Sequence, residues 1–198
     1  MIEPAVDKFI SEHALRTILK NQYHAALAML RQAIERCPED VWSSDKQRNA
    51  FWRIAYHALY YTHLYLQPRL ESFAAWQHHQ TGLQYLDNNP APPEIDDLVE
   101  LPHKPPQTGI PYTRAEVLEY WNYCDDNIDR WLDAIDLLDP ASGFYWYKLS
   151  KLEHQLISLR HTQHHTAQLT DRVRASSDTG VDWVSSGRVA RQFPQDEI

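Results

Sequence analysis

The sequence predicts an all-α fold, specifically a four-helix bundle, and three observations carry that reading. Five Gly in 198 residues is few for a sheet-rich chain full of tight turns. Long Gly-free runs favour helix instead. Apolar residues recur at three- and four-residue spacing in long segments, and Pro38, Pro68 and Asp139-Pro140-Ala141-Ser142-Gly143 punctuate them. Hydrophobic content of 43% and this length suit one globular domain spanning 1–198. A Pro-rich insert at about 88–112 and an irregular tail at about 176–198 are its two departures from helix.

The first helix follows from Leu15, Leu19, Tyr23, Ala26, Leu30 and Ile34, with Pro38 as its stop. A single helix from residue 4 would reach roughly 50 Å. The expectation is therefore a short N-terminal piece and a main helix from about Glu12 to Cys37. His13 and His24 read as exposed or packed side chains. Ser44-Asp45-Lys46-Gln47 has capping-box spacing and opens a second helix running to Gln67. On it Ala50, Ile54, Tyr61 and Leu64 share a side with His57, whereas His63 lies ~120° away and faces solvent or a neighbour.

Arg69 to Gln80 reads as a short helix, with Phe73 and Trp76 packing back. The insert that follows holds seven of the 12 prolines, which forbids regular helix or central strand. It reads as a long crossover joining two helices that run the same way, giving an up-down-down-up order; long loops of this kind also cover active sites. His78, His79 and His103 have no motif context. Thr113-Arg114-Ala115-Glu116 is a second capping box, opening a third helix to about Leu138. Its Asp125, Asp126, Asp129, Asp133 and Asp136 read as a solvated face.

The last helix spans about Tyr145 to Ala175. One face carries His154, Ile157, His161, His165 and Gln168; the other carries Leu149, Leu152, Leu156 and Leu159. A helix apolar on its outer side needs cover, and a second subunit is the favoured one. Trp183 in the tail is expected to tuck against the bundle.

Charge and motifs narrow the function. A formal charge of -8 argues against a nucleic-acid partner. Cys37 and Cys124 make no CxxC pattern, disulfide framework or cysteine zinc site, which fits a reducing compartment. No apolar run approaches the ~20 residues of a membrane span, so a cytoplasmic protein without a membrane partner is expected. Gly-rich phosphate loops and G-x-S-x-G are absent. The organising stretch is L-R-H-T-Q-H-H-T-A-Q-L, residues 159–169. Its His161 and His165, four apart, put two imidazoles on one helical face in reach of one ion. His164 is rotated ~60° from His161, away from His165. In a chain with 11 His the bare spacing is weak. F-W-R-I-A-Y-H-A-L-Y-Y-T-H-L-Y-L, residues 51–66, supplies His57 as a third imidazole on an apolar helix.

These elements resemble the DinB-like (damage-inducible) superfamily of four-helix bundles, which includes bacillithiol-transferase-like proteins. His57 takes the ligand position in I-A-Y-H-A-L-Y-Y-T-H-L-Y-L. R-H-T-Q-H-H-T-A-Q-L is similar to the family's H-x-x-x-H followed three residues later by Gln, giving His161, His165 and Gln168. Ala167 stands where the family usually has Gly. The resemblance spans roughly residues 12 to 175. It implies a divalent metal on the three histidines, zinc or nickel, sometimes iron, and a homodimer. It also implies transfer of a low-molecular-weight thiol to an electrophile, or thiol-dependent isomerisation.

Three neutral imidazoles leave coordination positions open for a thiol or a water, whose deprotonation gives a nucleophile for a thiol transferase or a hydrolase. In that scheme Gln168 orients a ligand or a bound water, and Tyr61 is a hydrogen-bond donor in the pocket. Two other readings stand beside the enzyme: a non-catalytic bundle whose metal or empty pocket serves binding or stability, and one in which the histidines are ordinary core residues.

Overall fold

Ser11 starts the first helix where the sequence places it: its hydroxyl accepts from the Ala14 amide at 3.1 Å, closing the first turn. The computed structural model describes residues 10–87 and 107–187. Among these there are five α-helices and no strand: α1 (Glu12–Arg36), α2 (Glu39–Trp42), α3 (Phe51–Tyr65), α4 (Arg114–Ala134) and α5 (Lys151–Ser177). The expected N-terminal piece and most of the Pro-rich insert lie outside the described residues.

Helix limits differ from the sequence reading where side chains find better local partners. Ser44 does not cap α3. Its hydroxyl accepts from the Lys46 amide at 3.3 Å, a local turn that competes with helix. The single-turn α2 precedes it, and α3 begins seven residues later behind Ala50. The capping box of α4 forms as expected, with Thr113 N–H on Glu116 Oε2 at 2.7 Å and Glu116 N–H on Thr113 Oγ1 at 3.3 Å. That helix stops at Ala134, short of Leu138. Arg16 donates to the carbonyls of Leu132 and Ile135, taking up acceptors a helix end leaves open. Instead of a short helix, Arg69 to Gln80 contains one 3-10 turn, Leu70–Ser72. Trp76 still packs back, stacking on Tyr120 at 4.6 Å between ring centroids.

α5 starts at Lys151, not Tyr145. Ser150 caps it by accepting from the Glu153 amide at 3.3 Å. The preceding residues instead pack Phe144 against Tyr65, 5.3 Å between rings, and against His154, 4.9 Å. Gly143 makes the approach at φ +84, where a Cβ would meet the Pro68 carbonyl at 2.4 Å. The buried Lys151 ammonium donates to that carbonyl at 2.7 Å and to the carbonyl of Ser142.

α1 packs along α4 and α5, and so does α3. Pairings fix their directions. Arg16 meets Ile135 while Trp121 donates to the Leu27 carbonyl, so α1 and α4 are antiparallel. Tyr23 meets Gln155 and Met29 meets Gln163, so α1 and α5 run together. α3 is antiparallel to α5, with Thr62 on Thr162 and the Tyr65 carbonyl on Gln155. It is parallel to α4, with Tyr56 near Tyr120 and His63 on Trp131. Every residue of α3 except Arg53 and Tyr60 is buried.

Two expectations about faces are corrected, those for Asp125 and Trp183. Asp125 is not solvated: buried, it takes His24 Nδ1 at 2.6 Å, and Asp129 takes Nε2 of the same ring at 3.2 Å. His24 is accordingly a packed histidine. The core-facing stripe of α5 is Lys151, His154, Gln155, Ser158, Thr162, His165, Thr166, Leu169 and Val173, which takes in His154 and His165 of the histidine face and leaves Leu152, Leu156 and Leu159 to the outer side. Leu152 and Leu159 only flank the core, and Leu156 is 54% exposed. Trp183 is 76% exposed, and Val181 packs against the core in its place. No helix of the described residues is long and apolar enough to cross a membrane.

His63 faces its neighbour α4 rather than solvent. It is 2% exposed, stacks on Trp131 at 4.6 Å, and its Nδ1 lies 3.0 Å from the Tyr120 hydroxyl. Burial pushes its pKa down to about 4, and Arg130 pushes the same way. The unfolded chain titrates this ring near its ordinary value of 6.5, so between these limits it binds the proton that the folded chain refuses. Stability from His63 is thus fully present above about 6.5 and is lost as pH falls toward about 4, by an order of a few kcal/mol. Urea unfolding across that window should show wild type losing more stability than His63→Phe. Equal pH slopes would contradict the assignment.

Candidate metal centre

The seam between α3 and α5 carries the three histidines, His57 on the first and His161 and His165 on the second. Two contacts hold its register. Thr62 and Thr162 hydroxyls meet at 2.7 Å, each also bonded to its own helix through the carbonyls of Ala58 and Ser158. Toward the other end Arg172 donates to the Asn49 carbonyl at 2.6 Å, just before α3. Between these fastenings His161 Nε2 sits 3.1 Å from His57 Nε2 and 3.1 Å from His165 Nε2. Ligand atoms of all three lie within 4.8 Å of one another. Among the described residues this is the one group of three or more His, Cys, Asp or Glu placed to hold an ion.

Their outer nitrogens decide what the inner ones can do. His57 Nδ1 is 2.6 Å from the Gln84 carbonyl, which can only accept. The ring therefore donates there and turns its Nε2 lone pair inward. His165 Nδ1 is 2.9 Å from Gln168 Oε1, with the same consequence. Burial pushes the His165 pKa down to about 4, the Gln168 bond opposing and His164 reinforcing, so the ring is neutral at pH 7. Two lone pairs thus face the third ring. His161 can give one of them a proton, whereas a divalent ion accepts all three nitrogens. Metal–nitrogen bonds of 2.0–2.1 Å at tetrahedral angles put neighbouring nitrogens about 3.3 Å apart. The two spacings of 3.1 Å fit that requirement.

The other sequence candidates fall into place around this cluster. Gln168 orients His165, and its amide nitrogen reaches His164 Nε2 at 3.1 Å. His164 is exposed and outside the cluster. Tyr61 packs its ring 4.6 Å from His57 and 5.5 Å from His161, between the cluster and Tyr65. His154 lies farther along α5, boxed by Tyr65, Phe144 and Tyr147, with neither ring nitrogen hydrogen-bonded. His79 bonds the Tyr56 hydroxyl at 2.6 Å and His78 faces Glu119 at 3.4 Å. His103 lies outside the described residues. Gln84 is the functional residue that sequence reading missed. It acts through a backbone carbonyl, which has no side-chain signature, although its position after Gly82 is set by its own side chain accepting from the Gly82 amide at 2.8 Å.

A cavity of about 490 Å³ is lined by the three histidines together with Ile54, Leu86, Gln47, Asn49, Asp171 and Arg172. Its size suits a small molecule.

Groups that orient a metal-binding imidazole typically change affinity by ~10-fold or more when removed. Gln168→Ala should therefore weaken zinc binding by about that factor in a chelator-competition titration, with helix content unchanged. An unaltered affinity would show that the Gln168 bond does not set the His165 ring.

No family model, curated protein or solved structure matches the chain.

Proposed function

We propose that the chain is a DinB-like four-helix bundle whose His57, His161 and His165 hold one divalent ion and serve a reaction of a small thiol. Zinc and nickel are the first choices for the ion and iron the third. The pairwise directions of α1, α3, α4 and α5 support the up-down-down-up order, with the stretch between α3 and α4 as the crossover. One observation carries the functional reading: three Nε2 atoms converge at the floor of a small-molecule cavity, two of them with their lone pairs fixed by bonds on Nδ1.

When bound, such an ion supplies Lewis acidity that lowers the proton affinity of a thiol or water entering its open position. The protein's own groups do the rest. His57, His161 and His165 would hold the ion where they line the cavity. The Gln84 carbonyl and Gln168 keep two rings aimed. Ile54 and Leu86 add apolar lining to the cavity. In the transfer, the thiol loses its proton to solvent, sulfur forms a bond to the electrophilic carbon, and the leaving group departs with its electron pair. Water in place of the thiol gives the corresponding hydrolysis. A bundle that binds metal without turnover is the rival reading, and the same experiment separates them.

Protein purified without a nickel column should carry one divalent ion per chain, and His161→Ala should carry far less. Conjugation of mercaptoethanol to chlorodinitrobenzene should exceed the buffer rate and fall to it when the ion is removed by a chelator. Equal metal content in both proteins would overturn the site. Metal bound without any rate above buffer would overturn the enzyme and leave a binding protein.

A further inference from the structure

His161, His165, Gln168 and Arg172 follow one another at four-, three- and four-residue steps, so they form one stripe along α5. Three members are accounted for by the metal centre. The fourth, Arg172, lies on the rim of the same cavity, half-buried. It is the only Lys or Arg among the lining residues. One guanidinium nitrogen donates to the Asn49 carbonyl. No carboxylate of the described residues forms an ion pair with it, Asp171 on the adjoining rim included. A guanidinium offers five N–H donors in a planar fork, so donors remain that can face the cavity. Asp171 is exposed, where solvent screens its charge.

We infer that Arg172 is an oxyanion subsite of this cavity and selects ligands that carry a carboxylate, held on the guanidinium while a second donor atom reaches the three-histidine centre. This inference rests on the metal reading and adds to it a specificity residue and a ligand class. Seven residues of helix separate the Cα atoms of His165 and Arg172 by ~10 Å. After both side chains lean into the cavity, the remaining gap suits an acid whose two ends are several bonds apart. Guanidinium and carboxylate pair through two parallel bonds, a geometry neither lysine nor a neutral side chain reproduces. With neutral imidazoles and a divalent ion, the cavity is positive at its floor and at this point on its rim. A neutral ligand of the same length satisfies only the floor.

The test uses the full chain loaded with cobalt as a spectroscopic metal. The probes are mercaptopropionate, mercaptobutyrate and mercaptohexanoate, each paired with the mercapto-alcohol of the same length. Thiolate-to-cobalt absorption reads binding, and metal content is measured separately. In wild type the best-fitting acid should bind about tenfold or more tighter than its alcohol, as a charge-assisted bond allows. Among metal-loaded molecules, R172Q should lose that preference whatever cobalt affinity the loss of the Asn49 contact leaves it, while R172K should retain part of it. If the Asn49 contact alone were disturbed, acid and alcohol would weaken together and the wild-type preference would persist. Cobalt bound with equal affinity for acid and alcohol in wild type, or a preference unchanged in R172Q, overturns the subsite while the metal centre stands. Wild type that takes up no cobalt overturns the metal reading and the subsite with it.

Discussion

Everything about this protein's candidate chemistry depends on two antiparallel helices being held in one register. His57 belongs to α3 and the other two histidines to α5, so a slip of one turn, ~5.4 Å, would separate the His57 and His161 nitrogens that now sit 3.1 Å apart. The register is fixed by hydrogen bonds rather than by apolar shape alone. Thr62 meets Thr162 on one side of the cluster. Gln155 reaches the Tyr65 carbonyl farther along that same side, and on the other Arg172 reaches Asn49. Directional bonds of this kind specify one alignment, where a run of leucines would tolerate several.

That choice has a cost. The inward stripe of α5 contains a lysine, two histidines, a glutamine, a serine and two threonines, and burying polar groups is unfavourable unless each finds a partner. Most do. Gln155 bonds both Tyr65 and Tyr23, and Lys151 serves two carbonyls. His154 has no such bond and is instead enclosed by three aromatic rings, with burial holding its pKa down to about 3. The opposing favourable term lies in α3 and α4. There Trp52, Tyr56, Tyr120 and Trp131 are buried and stack on or meet neighbouring rings edge to face. The apolar half of the fold thus supports a polar half that positions the histidines.

This division explains what could be read from the chain. Helix content, the helix beginning at Glu12, the Thr113 capping box and the His161–His165 pair were legible because each leaves a local signature: a period, a cap or a spacing. His57 joined the pair through its apolar helix and the family resemblance. The inward face of α5 was legible only in part. Its histidine side was read from spacing, but Thr162 and Gln155 also turn inward, since their partners Thr62 and Tyr65 come from about ninety to a hundred residues away. The start of α3 was displaced because Ser44 closes its own turn. Asp125 looked like one carboxylate among several until His24 was placed against it across the α1–α4 contact. Gln84 was invisible for a different reason, since only its backbone oxygen touches the centre.

X-ray absorption at the metal edge tests most directly whether three imidazole nitrogens hold one ion. Protein loaded with zinc should show three nitrogen scatterers near 2.0–2.1 Å, with multiple-scattering features of imidazole and the remaining shell filled by solvent or thiol. A first shell with fewer than three imidazoles, or one indistinguishable between wild type and a His57→Ala variant, would contradict it.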